Sequence, residues 1–153
     1  MPSTGPSRRL PADGETRPRW PLALAGLSLA GAILSAYLWQ AKVGAASLVC
    51  GPVGDCVTVN ASAFSEVLGV PVALLGMLMY GALTGLSLVT WRRPATRLSQ
   101  YGFALALAGA LFSLYLTLVE AFVIRAYCVW CLTSWILITG IAWTWGRALR
   151  RAP

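Results

Sequence analysis

The chain has no histidine, and only 5 of its 153 residues are acidic. Without imidazole, the commonest general base and the commonest metal ligand are both missing. Charged residues of either sign make up 11%, against about 25% in an ordinary soluble domain. So few charges leave a soluble fold of this length no means of covering a composition that is 58% hydrophobic, which points to an integral membrane protein. The balance is basic, 12 Lys/Arg against 5 Asp/Glu. A basic chain can be a nucleic-acid binder, but here the arginines flank long apolar runs, as they do at the cytoplasmic ends of membrane helices, and no nucleic-acid partner is expected. The chemistry left to the chain rests largely on four cysteines, a few hydroxyls and an external cofactor.

Four apolar runs follow one another, at about 20–40, 70–90, 101–123 and 128–145. A run of 21 residues spans about 31 Å as a helix at ~1.5 Å per residue, enough to cross a bilayer. Residues 1–19 are rich in Pro, Gly, Ser and Arg and read as a disordered tail. Residues 148–153 read as a second tail, and 20–147 as one membrane domain. The expected fold is an all-α bundle of four transmembrane helices with a structured outer loop between the first two. Four spans put both tails and the 91–100 link on one side, with ten of the twelve basic residues; Lys42 and Arg125 alone fall on the other. The positive-inside rule makes the first side cytoplasmic. All four cysteines then lie at the outer face of a cell membrane, where disulfides persist. Gly102, Ala106 and Ala110, and also Gly81 and Gly85, have the spacing of small-residue helix contacts.

The cysteines form two pairs. Cys50 and Cys56 sit in the polar loop, with Gly51-Pro52 and Gly54-Asp55 between them to turn the chain. Cys128-Val129-Trp130-Cys131 opens the last apolar run. Three readings compete. The pairs can brace outer loops as structural disulfides. They can hold a metal, but Cys50 and Cys56 are spaced more widely than the C-x₂₋₄-C pairs of tetrahedral thiolate sites, and no metal is expected. They can also form a redox relay. In that case Cys128 and Cys131 lie in the first turn of a helix, where free N–H groups and the dipole lower a thiol pKa, with Arg125 nearby to add to the effect. Electrons delivered there need a lipid-soluble acceptor, and a quinone fits. Glu120 and Asp55 are the acids available for proton handling, although a surface role is the simpler reading of both.

The order of helix, Cys50…Cys56, Val59-Asn60-Ala61-Ser62, Leu68-Gly69-Val70-Pro71, Gly76 and then Cys128-Val129-Trp130-Cys131 resembles the vitamin K epoxide reductase family, in particular its bacterial disulfide-forming homologues. The resemblance covers about residues 20–147. It implies that Cys128 and Cys131 are the active-site pair, with Cys131 the sulfur that meets the quinone. It implies that Cys50 and Cys56 are a loop shuttle, Cys50 facing the redox partner and Cys56 exchanging with Cys128. It also implies that Ser62 and Trp135 stand at the quinone, which is of the ubiquinone, menaquinone or vitamin K type. Trp135 stands where the animal enzymes carry a tyrosine and Val72 where they carry an asparagine; these departures favour quinone reduction over epoxide reduction. Only eight residues follow Trp145, so the expected partner is a separate periplasmic or extracytoplasmic thioredoxin-fold protein. The other bacterial four-helix disulfide oxidase has its C-x-x-C pair in the first outer loop, the reverse of the order here. Vitamin K quinone or epoxide reduction, and a non-enzymatic four-span protein with structural disulfides, stand as alternatives.

Overall fold

The computed structural model of the chain describes residues 18–44, 47–52 and 54–151. Residues 1–17, nearly all of the expected disordered tail, lie outside the described residues. The elements in order are α1 (Trp20–Lys42), the short α2 (Cys56–Ala61), β1 (Glu66–Val67), β2 (Val70–Pro71), α3 (Val72–Arg92), α4 (Thr96–Val119) and α5 (Val129–Arg151). The four long helices have 21 to 24 residues, about 32–36 Å at ~1.5 Å per residue. All four are long and apolar enough to cross a membrane, and together they form a four-helix membrane bundle. α1 packs along α3 and α4 along α5, while α1–α5 and α3–α4 contacts close the ring.

The core is narrow and built around Tyr80, Leu83, Ile138, Ile141 and Trp145, all essentially without exposed surface. Small residues make room for the large ones. A Cβ on Gly102 would lie 2.6–2.8 Å from the Trp145 indole, and one on Gly31 would meet the Tyr80 ring as closely. Trp20 meets Trp145 edge to face, with centroids 5.4 Å apart. Large apolar side chains such as Ile33, Leu29, Leu111 and Ile136 remain exposed on the outside. Helices apolar on both faces suit a hydrocarbon surround. The row Gly102, Ala106 and Ala110 does serve packing, but Gly81 and Gly85 have no neighbour within 4 Å at the Cβ position and face outward.

The helix boundaries differ from the hydropathy expectation most clearly at three places. Val70-Pro71 belongs to a hairpin that pairs with Glu66-Val67, so α3 starts two residues later. Its turn, Leu68-Gly69, has φ of +53° and +79°, the pattern of a primed hairpin turn. α4 starts at Thr96, because Arg97, Ser99 and Gln100 continue the helix beyond its apolar part. α5 continues to Arg151, well into the stretch expected as a tail.

Between α1 and α3 the connecting loop is built, as expected. Lys42 at the end of α1 donates to the Asn60 carbonyl and to Ser65 Oγ at 2.9 and 2.7 Å and pairs with Glu66 at 3.3 Å. Asp55 caps α2 by accepting from the Thr58 N–H and hydroxyl, and these bonds hold its carboxyl below its ordinary pKa.

The tight contact at Gly102 and the open space at Gly81 make opposite predictions. Gly102→Leu is expected to destabilise the bundle by about 1–3 kcal/mol through overpacking. Gly81→Ala is expected to be neutral or to stabilise it by up to about 1 kcal/mol, as Gly to Ala does inside a helix. Thermal unfolding in detergent micelles measures both.

Candidate functional site

The site begins where α4 ends. Glu120–Ile124 form one wide π-type turn, and Arg125 takes a left-handed conformation at φ 57° that breaks the helix. Residues 126–128 then lead into α5 without regular secondary structure. Cys128 stands immediately before α5, its carbonyl accepting from the Leu132 N–H at 3.0 Å. Cys131 lies in the first turn. The pair thus straddles the helix start, one residue earlier than expected.

The loop comes to this point and is fastened there. The Asp55 N–H donates to the Tyr127 carbonyl at 3.0 Å. Trp130 Nε1 donates to the Val49 carbonyl at 2.9 Å. Tyr37 on α1 donates to the Ser47 carbonyl, accepts from the Val49 N–H, and meets the Trp130 ring edge-on at 5.4 Å. Trp130 therefore clamps the loop, a more specific role than an aromatic at the membrane interface. Gly54 fits against the Tyr127 carbonyl and the Val129 side chain, each 3.3 Å from where a Cβ would sit.

These fastenings bring the two cysteine pairs together. Cys50 and Cys56 form a disulfide, with Cα atoms 5.9 Å apart; Cys128 and Cys131 are free thiols. Cys56 and Cys128 are 0% and 1% exposed and pack in one cluster with Val59, against which Cys50, Trp130 and Cys131 also lie. Of the loop pair, Cys50 is the more accessible.

The Cys131 thiol beside Cys128 holds the Cys128 thiol below its ordinary pKa. Burial opposes this, the Cys131 and Trp130 N–H groups of the first helical turn assist it, and the Glu120 carboxylate opposes it. The helix start does contribute, as expected from the sequence. Arg125, expected to help, is exposed and has no part; the charged group at the pair is Glu120. Nor is Glu120 a surface residue. It is 2% exposed, accepts from the Cys128 N–H at 3.0 Å through Oε2, and lines the same cavity as Cys131.

Both thiols open onto a cavity of about 420 Å³ between α1, α3, α4 and the loop, a volume in the range of small-molecule sites. Its wall is mainly apolar, with Leu38, Val72, Met79, Leu105, Phe112 and Leu116 among the lining residues. Its polar groups include Ser35, Ser62, Tyr80, Glu120 and Ser134. Such a wall fits a quinone ring: flat, apolar, with two carbonyl oxygens needing donors. Ser62 is at the wall, but its hydroxyl donates to the Val59 carbonyl at 2.7 Å, closing α2. Trp135 is not among the lining residues. Its neighbour Ser134 is, joined to Tyr80, whose hydroxyl donates to the Ser134 carbonyl at 2.9 Å and lies 3.0 Å from Ser134 Oγ. Sequence reasoning missed Tyr37, Tyr80 and Ser134, none of which lies in a motif. It undervalued Glu120, whose signal was available: a lone acid at the end of an apolar run.

The model of the vitamin K epoxide reductase family matches residues 22–145. The chain belongs to that family. The match reaches into all four long helices and covers both cysteine pairs. Membership makes the chain a multi-pass membrane oxidoreductase of thiol chemistry linked to quinones.

Because the Cys131 thiol is the largest influence on Cys128, Cys131→Ala is expected to move the pH midpoint of Cys128 alkylation upward. Removing a hydrogen bond to the thiolate destabilises the charged form, so the midpoint rises. Rates of iodoacetamide labelling across pH, read by mass spectrometry, check the direction.

Proposed function

We propose that the protein passes electrons from a thioredoxin-fold partner through its two cysteine pairs to a membrane quinone, and so supports disulfide formation outside the cell membrane. The observation that carries this reading is that both pairs pack in one cluster, and that Cys128 and Cys131 of that cluster line one apolar cavity. Structural braces have no need to lie against each other or to open onto such a space.

In this reading the partner's dithiol reduces Cys50–Cys56 by way of Cys50, the more accessible sulfur. Cys56 then attacks Cys128 in an oxidised Cys128–Cys131 pair, and Cys131 leaves. Cys50 attacks Cys56 in turn and expels Cys128. The sulfur expelled is the one whose thiolate is best stabilised, as a leaving group should be. The reduced pair gives two electrons to the quinone, and the Cys128–Cys131 disulfide forms again. Over one turn the partner loses two hydrogens and the quinone gains two. Residues 20–147 act as the membrane domain, with Cys131 as the sulfur facing the ring and with Ser62 and Trp135 near it. For Ser62 to donate to a ring oxygen, its hydroxyl must turn away from Val59. For Trp135 to reach the ring, α5 must rotate, since Ser134 now holds that position. Proximity of the sulfurs and control of their pKa do most of the work.

The arginine distribution supports cytoplasmic termini and outward-facing cysteines. The apolar Val72 in the cavity wall supports plain quinone reduction over epoxide reduction.

The protein purified in detergent, mixed with a quinone and a reduced thioredoxin-fold protein, is expected to consume quinone as followed by absorbance. Cys50→Ala, Cys128→Ala and Cys131→Ala are each expected to reduce turnover to the uncatalysed rate. Full turnover in Cys131→Ala contradicts the assignment.

A further inference from the structure

We propose that Glu120 is a catalytic residue of the quinone step, accepting the Cys131 thiol proton through its carboxylate and delivering it to a quinone oxygen. The inference rests on the thiol-to-quinone reading above.

Three observations meet at this side chain. Glu120 is 2% exposed, inside a helix end read as lying in the membrane. An acid in that position is expensive and usually functional. It accepts from the Cys128 N–H at 3.0 Å, so its carboxylate stands against the reacting pair. It also lines the cavity beside both sulfurs. The wide turn Glu120–Ile124 and the left-handed Arg125 aim the chain so that the carboxylate faces back to the start of α5.

No basic residue is among those lining the cavity, so the carboxylate does not stand there as half of an ion pair. The titratable groups facing it from α5 are Cys128 and Cys131. From α3 Tyr80 lines the same cavity, its hydroxyl held by Ser134. Arg125, from its own turn, is exposed. Lys42 is engaged by Asn60, Ser65 and Glu66, and Asp55 is exposed and held by Thr58. Of the carboxyls among the described residues, Glu120 alone lines the cavity.

The Cys128 and Cys131 S–H bonds break and the Cys128–Cys131 bond forms. Two electrons pass to the quinone, whose two carbonyls become hydroxyls. One proton travels from Cys131 through Glu120 to a ring oxygen. The other leaves Cys128 to the aqueous phase, which returns one to the second oxygen. The carboxylate ends as it began. When the pair is reduced again, the same group can protonate Cys131 as it leaves.

The test uses the full-length protein, reduced with dithiothreitol, freed of it, and mixed with a soluble ubiquinone analogue in a stopped-flow instrument. Glu120→Gln keeps a carbonyl to accept from the Cys128 N–H but cannot accept a proton. It is expected to consume one quinone per reduced pair, as the wild type does, about a hundredfold more slowly or worse, as for loss of general acid–base catalysis. Its rate is also expected to lose the wild-type pH profile in the acid limb. Glu120→Asp, which keeps an acid, is expected to recover part of the rate. Glu120→Gln at the wild-type rate with an unchanged pH profile overturns the proposal, and so does an aspartate variant no faster than the glutamine one. If the glutamine variant does not fold, infrared difference spectra of the wild type decide. A carboxyl band that shifts when quinone oxidises the pair supports the role, and a carboxyl region without change overturns it. A wild type that consumes no quinone at all overturns the underlying reading instead.

Discussion

Two backbone-directed hydrogen bonds, from Trp130 Nε1 to the Val49 carbonyl and from the Asp55 N–H to the Tyr127 carbonyl, hold the loop against the start of α5. The meeting of the two cysteine pairs depends on this docking. A loop between two membrane helices has no reason of its own to lie over a third. Here Cys50 and Cys56 are separated by 72 residues or more from Cys128 and Cys131 in sequence, yet the four sulfurs belong to one packed cluster. Tyr37 from α1 and Lys42 at its end fix the rest of the loop, so the loop is held from both sides.

The membrane shapes the site in a second way. Water is scarce inside the bundle, so an apolar cavity there is a natural place for a flat hydrophobic substrate. It is also a costly place for a carboxylate and for polar hydroxyls unless each has a partner. Tyr80 is joined to Ser134, Ser62 to Val59, and Glu120 to the Cys128 N–H. These three polar groups are thus placed by the backbone of α2, of α5 and of the residue preceding α5.

Much of this was legible in the sequence. Four spans could be read because hydropathy decides crossing almost alone. The two cysteine pairs could be read because thiols in a chain without histidine leave little other chemistry. The rest depended on features that hydropathy does not carry. Val70-Pro71 is as apolar as the helix after it, and the positive φ of Leu68 and Gly69, which makes it a strand, has no hydropathy signature. Gly81/Gly85 and Gly102/Ala106 have the same spacing, and which row meets a partner depends on how each helix is turned. The same applies at Trp135: one residue along a helix is about 100° of rotation, and Ser134 lines the cavity in its place. Glu120 reads as a surface acid at the end of a run until the π-type turn brings it inward.

In the proposed relay the loop disulfide exchanges with the pair at α5 through Cys56 and Cys128. A variant lacking their usual partners, Cys50→Ala with Cys131→Ala, tests it most directly. Under mild oxidation, peptide mass spectrometry under non-reducing conditions is predicted to find an intramolecular Cys56–Cys128 disulfide in nearly every molecule. Two free thiols, or dimers joined between chains in place of that bond, would contradict the account.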